Sequence, residues 1–136
     1  MTKINFYLFE KSPERQVLAT CRLCRKILRQ EAQRIWLWCE DSNTQQDLDT
    51  QLWSFDPSSF IGHGIDRSQD PVCISATLPE ESDWIIINFN KQPLEQFSKF
   101  SHIIEIIENH DIAKALGREK FKYYRKLGLQ PKTYKL

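Results

Sequence analysis

A chain of 136 residues is long enough for one domain with one sizeable core, expected to span residues 1–136. Its hydrophobic share of 40% and charged share of 27% are ordinary for a soluble globular protein. The net charge of +1 excludes the global basic field of a general nucleic-acid binder, and no apolar run approaches the ~18 residues needed to cross a bilayer.

The opening residues lack both the apolar core and the cleavage site of a signal peptide, so a cytoplasmic protein with no membrane partner is expected. Ile4 to Phe9 reads as a first strand. Ser12, Pro13 and Glu14 then suit the start of a helix: a capping hydroxyl, a fixed φ at the first position and an acid at the positive end of the dipole. This helix is expected to run to about Gln33, with Val17, Cys21, Cys24, Ile27 and Leu28 inward. Ile35 to Cys39 is nearly continuous apolar sequence, the pattern of a strand covered on both faces. Asp41 and Ser42 open a second helix that closes at Trp53.

Residues 54–71 read as loop, long for a passive connection and carrying Phe55 and Phe60. Within it, Gly62-His63-Gly64 is a plain turn or a flexible site with an exposed imidazole. Val72 to Ser75 and Asp83 to Phe89 read as strands, Pro93 to Phe100 as a short helix or turn, and Ile103 to Ile107 as the last strand. The order β-α-β-α-β-β-α-β-α predicts an α/β layered domain with a mostly parallel sheet and right-handed crossovers.

Four cysteines are present, and Cys21 and Cys24 form a Cys-x-x-Cys pair. A redox role needs that pair at a helix N-terminus after a strand, whereas here it falls inside a helix. A zinc site needs a second ligand pair, and His63, His102 and His110 show no paired spacing. The cysteines are therefore expected to be small buried hydrophobes, with no metal and no cofactor. Neither a G-x-G-x-x-G turn nor a P-loop follows any strand, and no nucleophile, base and orienter can be assembled from the spacing. No enzyme site is expected.

Asp111 to Gly128 reads as one amphipathic helix, with Gly128 as its C-terminal cap. At about 100° per residue, Ile112, Leu116, Tyr123 and Leu127 fall on one side, the expected core side. Lys114, Arg118, Lys122 and Arg125 form a basic stripe on roughly the opposite side, with Phe121 at its edge and off the core side. From Lys114 onward, Lys and Arg far outnumber the single acid, Glu119. A cationic rim around an apolar spot suits a ligand both acidic and aromatic, such as a peptide C-terminal carboxylate preceded by acidic residues. Single-stranded nucleic acid fits the same features through phosphate pairing and base stacking. Trp53, with Phe60 and Phe55 nearby, is either a second docking surface or closure of the core.

The chain resembles the chi subunit family of bacterial DNA polymerase III. The resemblance runs through Phe6-Tyr7-Leu8, Cys39-Glu40-Asp41, Leu48-Asp49, Leu52-Trp53, Phe60, His63, Pro71-Val72 and Ile74. It is strongest from Arg118 to Arg125, with Gly128. It implies a non-catalytic, Rossmann-like subunit of the clamp-loader assembly, tethered by the psi subunit. It also implies that another face binds the acidic C-terminal tail of single-stranded DNA-binding protein, which ends in Pro-Phe, so that DNA is contacted only indirectly. By motif match the tail site is Lys114, Arg118, Phe121, Lys122 and Arg125, with Ile107 lining it and Thr133 at its margin. Trp53 and Phe60 match the psi-binding aromatics, a surface that a repair-type helicase uses in competition with psi. The chain departs from the family in a compact, less basic loop between Phe60 and Pro71, in its C-terminal tail, and in Phe121, where a tyrosine is commoner.

Overall fold

A computed structural model of the chain describes residues 2–9, 16–30, 33–54 and 61–135. Among these residues seven strands form one sheet: β1 (Lys3–Leu8), β2 (Arg34–Trp38), β3 (His63–Ile65), β4 (Val72–Ser75), β5 (Trp84–Asn88), β6 (His102–Ile107) and β7 (Lys132–Lys135). Their order is β3-β4-β2-β5-β6-β1-β7, and every pairing is parallel. Among the described residues three helices cover it: α1 (Gln16–Gln30), α2 (Ser42–Ser54) and α3 (Asp111–Lys126).

Side chains alternate across each strand, so the sheet carries a core on either face. Ile35, Leu37, Ile85, Ile87, Ile104 and Ile106 meet Cys21, Cys24 and Ile27 of α1 and Leu48 and Leu52 of α2. Trp36, Trp84, Ile86, Ile103 and Ile107 join Phe6 and Tyr124 on the face covered by α3. This double coverage explains the unbroken apolar runs: Trp84 to Ile87 are all fully buried. The chain leaves β1 toward α1 on one face and leaves the adjacent β6 toward α3 on the other. The crevice beyond the carboxyl ends of β1 and β6 is therefore the topological switch point.

The α/β fold with a parallel sheet agrees with the pattern of predicted elements, and the sheet is parallel throughout. The local differences lie in the loop before Pro71 and in the C-terminal tail. The loop before Pro71 contains a short buried strand, β3, which pairs with β4. His63 in it is enclosed, not exposed, with Nδ1 2.7 Å from the Ile61 carbonyl and Nε2 3.0 Å from that of Asp49. The stretch from Pro93, expected as a short helix or turn, holds a single 3₁₀ turn at Phe97–Lys99, and residues 31–32, over which α1 was expected to continue, lie outside the described residues. The tail becomes strand β7 because the free edge of β1 offers it a ladder and Tyr7 stacks on Tyr134 at 5.4 Å. Ser12, Pro13, Glu14, Phe55 and Phe60 lie outside the described residues.

Candidate functional site

The site is set by how α3 sits on the sheet. At its N-terminus His110 Nδ1 accepts the Ala113 N–H at 3.2 Å, satisfying one orphan donor. At its C-terminus the Gly128 N–H reaches the Arg125 carbonyl at 3.0 Å and the Leu129 N–H that of Tyr124 at 3.1 Å. This double closure needs a left-handed residue, which Gly128 supplies with φ +88°.

The buried side of α3 is the expected one only in part: Tyr123 packs against the core and Leu116 is half-buried. Ile112 is 73% exposed and Leu127 47%, whereas Gly117, Lys120 and Tyr124 are buried. Two contacts decide this rotation. A Cβ on Gly117 would lie 2.6 Å from Ile107 Cδ1, so with Ile107 where it stands glycine lets the helix close onto β6, and any larger residue has to push that side-chain tip aside. Lys120 is drawn inward, with Nζ donating to Glu105 Oε1 at 2.8 Å and to the Asn90 carbonyl at 2.6 Å. The Tyr124 hydroxyl and Asn88 Nδ2 donate to Glu105 Oε2 at 2.8 and 2.9 Å, and the Leu94 N–H donates to the Tyr124 oxygen at 2.8 Å. Burial raises the Glu105 carboxyl above its ordinary value, opposed by the Lys120 charge and the three donors.

That rotation opens a pocket of about 220 Å³ between α3, β6, β1 and β7, lined by Phe6, Leu8, Ile107, Lys114, Gly117, Arg118, Phe121 and Thr133. Ile107, Lys114, Arg118, Phe121 and Thr133, singled out from the sequence, thus come together from three elements. Phe121 is not off the core side: its ring packs at 5.5 Å on that of Phe6 and forms one wall. Thr133 pairs in register with Phe6 across the β1–β7 ladder and completes the opposite side. Lys114 and Arg118 bring two cations to an otherwise apolar cup. Lys122 and Arg125 do not line it; they lie exposed further along α3, Lys122 with Glu119 at 3.7 Å. The cup suits an apolar or aromatic end group bearing a negative charge, with further negative charge outside it.

Phe6, Leu8 and Gly117 are lining residues that the sequence reading missed. Phe6 and Leu8 alternate on the α3 face of β1, but only the sheet order places β1 beside β6 and β7. The glycine inside a strongly helical stretch was a readable signal of close approach. Glu105, one acid in a run of isoleucines, equally signalled a buried partner.

Elsewhere, Trp53 is 58% exposed at the end of α2, and its ring meets that of His63 edge-on at 4.8 Å. It borders a wider depression of about 470 Å³ with Asp49, His63, Arg67 and Asp70. At the switch point, where Rossmann-like sheets hold phosphates, the chain places a carboxylate. Glu108 Oε1 accepts the Gln16 N–H at 2.8 Å, and Oε2 accepts from His110 Nε2 at 3.1 Å. All four cysteines are buried, and burial pushes Cys21 up to about 12 and Cys73 up to about 11, so both remain protonated thiols. Among the described residues no group of three His, Cys, Asp or Glu could hold a metal ion, and no helix is long and apolar enough to cross a membrane.

A family model described as DNA polymerase III chi subunit, HolC, matches residues 1–132. The DNA polymerase III subunit chi of Pseudomonas aeruginosa is 28% identical over 140 residues, covering 100% of this chain and 98% of its own. That of Escherichia coli K12 is 25% identical over 144 residues, covering 98% and 97%. That of Haemophilus influenzae is 25% identical over 120 residues, covering 79% and 78%.

Proposed function

The chain belongs to the DNA polymerase III chi subunit family, a family of replication accessory subunits, and from that premise we propose that it is a non-catalytic cytoplasmic adaptor. One face takes the acidic C-terminal tail of single-stranded DNA-binding protein, and the other takes psi, which links it to the clamp loader. The observation that carries the tail reading is the pocket of about 220 Å³ with an apolar floor and two cations at its mouth.

In this mechanism the tail's last residue enters the cup. Ile107 and Phe121 hold its ring, with Phe6 and Leu8 behind them. Arg118 pairs with the terminal carboxylate, a bidentate geometry that Lys cannot reproduce. Lys114 supports that charge, while Lys122 and Arg125 attract the aspartates upstream and speed encounter. Thr133 offers a hydroxyl at the margin. The second face is anchored by Trp53, with Phe60 assigned to it by family resemblance alone. A repair-type helicase competing with psi would use the same anchor.

The test is a titration of a synthetic acidic peptide ending in Pro-Phe, followed by fluorescence anisotropy. Binding is expected to weaken with salt, with amidation of the peptide terminus and with Arg118→Ala. Equal affinity of wild type and Arg118→Ala sinks the reading. Tight binding of bare single-stranded oligonucleotide, insensitive to competing peptide, would instead support a direct nucleic-acid module built on the same helix.

A further inference from the structure

We propose that the outer edge of β7 takes up an extended acidic peptide segment as an added strand, continuous with the pocket under α3. The inference rests on the tail reading of that pocket and deepens it: the peptide is recognised by its backbone as well as by its end group and its charges.

Three observations meet here. First, β7 closes the sheet order and pairs with β1 alone among the described strands. Alternate residues of such a strand turn N–H and C=O groups outward, and an edge of this kind is a template for an incoming chain. All four residues of β7 are exposed, so no described element covers it. The strand is also anchored by Tyr134, stacked on Tyr7 with 22° between the rings, so its edge is formed before any peptide arrives.

Second, the charge of the edge selects its occupant. Lys132 and Lys135 lie on β7 itself, and Lys114 and Arg118 stand at the adjoining pocket. Two copies of this edge would oppose lysine to lysine, which disfavours edge-to-edge pairing of the chain with itself. An acidic peptide meets Lys132, with Lys114 and Arg118 beside it, with opposite charge.

Third, pocket and edge are continuous. Thr133 lines the pocket and belongs to β7. Strands lie ~4.8 Å apart and an extended chain advances ~3.4 Å per residue. A peptide whose last side chain fills the cup therefore passes Thr133 and reaches the edge within about two residues. The four residues of β7 can then pair with a segment of about the same length, the region where an acidic tail carries its charges.

The test is a scan of the acidic Pro-Phe peptide in which backbone amides are N-methylated one at a time, read by anisotropy against the full-length protein. Strand addition predicts a period of two. Methylation of amides that face β7 weakens binding roughly three- to tenfold, and methylation of the intervening amides leaves it nearly unchanged. Amide hydrogen exchange in residues 132–135 is expected to slow when unmodified peptide is added. A flat scan with no new protection, alongside binding that still depends on Arg118, overturns the added strand and leaves the pocket reading standing. Failure of the unmodified peptide to bind overturns both.

Discussion

Lys120 and Glu105 form an ion pair at 2.8 Å that holds α3 to β6, with the carboxylate fully enclosed. The carboxylate also accepts hydrogen bonds from Tyr124 and Asn88. The pair lies behind the pocket and sets the rotation of α3, so it decides which residues face the cup.

Lys120→Met leaves the Glu105 carboxylate buried without its cation. The expected cost is about 3–5 kcal/mol in urea denaturation, because an unpaired buried charge is worse than none. Adding Glu105→Gln is expected to recover most of that loss. The cost also depends on pH. Burial raises the Glu105 carboxyl above its ordinary value of 4.5, so its contribution is fully present below that value and is lost as pH rises through the folded-state value. Removing Lys120 pushes the carboxyl higher still. The variant is therefore expected to lose less stability near pH 4 than at pH 7, and equal losses at both would refute the assignment.

His102 carries a pH dependence of the opposite sign. Burial, reinforced by the Lys3 charge, depresses it to about 4, and its Nε2 lies 3.0 Å from Asn5 Nδ2, so the neutral ring is the native form. The stability it contributes is present above the ordinary histidine value of 6.5 and is lost as pH falls toward 4. The expected slope approaches about 1.4 kcal/mol per pH unit for one proton. His102→Gln is expected to flatten this part of the stability profile while leaving peptide binding at pH 7 unchanged.

Gly117→Ala sets two effects against each other. Alanine gains about 1 kcal/mol in helix propensity. Its Cβ, however, would meet Ile107 Cδ1 at 2.6 Å and Cγ1 at 3.2 Å, and overpacking of this kind costs about 1–3 kcal/mol. A net loss of about 1 kcal/mol is expected, with weaker peptide binding because Ile107 and Gly117 both line the cup. Trimming Ile107 to Val in the same chain removes Cδ1 and is expected to restore stability. A single variant more stable than wild type would show that α3 is not seated as described.

The cations outside the cup are expected to behave unlike Arg118. Arg118→Ala should cost about 1.5–3 kcal/mol of peptide affinity, the range for a desolvated charged hydrogen bond. Lys122→Ala and Arg125→Ala should each cost less than about 1 kcal/mol, mostly through slower association, and the effect should fade in ~0.5 M salt. Stopped-flow association rates at two salt concentrations separate the two kinds of residue.

Trp53→Ala removes an exposed ring whose edge meets His63. Capture of psi in pull-down is expected to be lost, with peptide affinity unchanged and the fold retained by circular dichroism. Loss of peptide binding in this variant would contradict two separate faces.

Much of this protein was legible in local pattern. Periodicity and apolar runs determined the α/β class and the two-sided burial of the strands, because those signals lie within a few residues of one another. The basic stripe of α3, its C-terminal glycine and the likeness to the chi family were equally local. Only the tertiary structure decided which side of α3 is buried, since the apolar stripe of Ile112 and Leu127 was outweighed by Gly117 against Ile107 and by Lys120 against Glu105. It likewise made a strand of residues 132–135, a tail with no apolar alternation that pairs because β1 lies at a free edge. Both outcomes depend on partners far away in the chain, and no local window contains them.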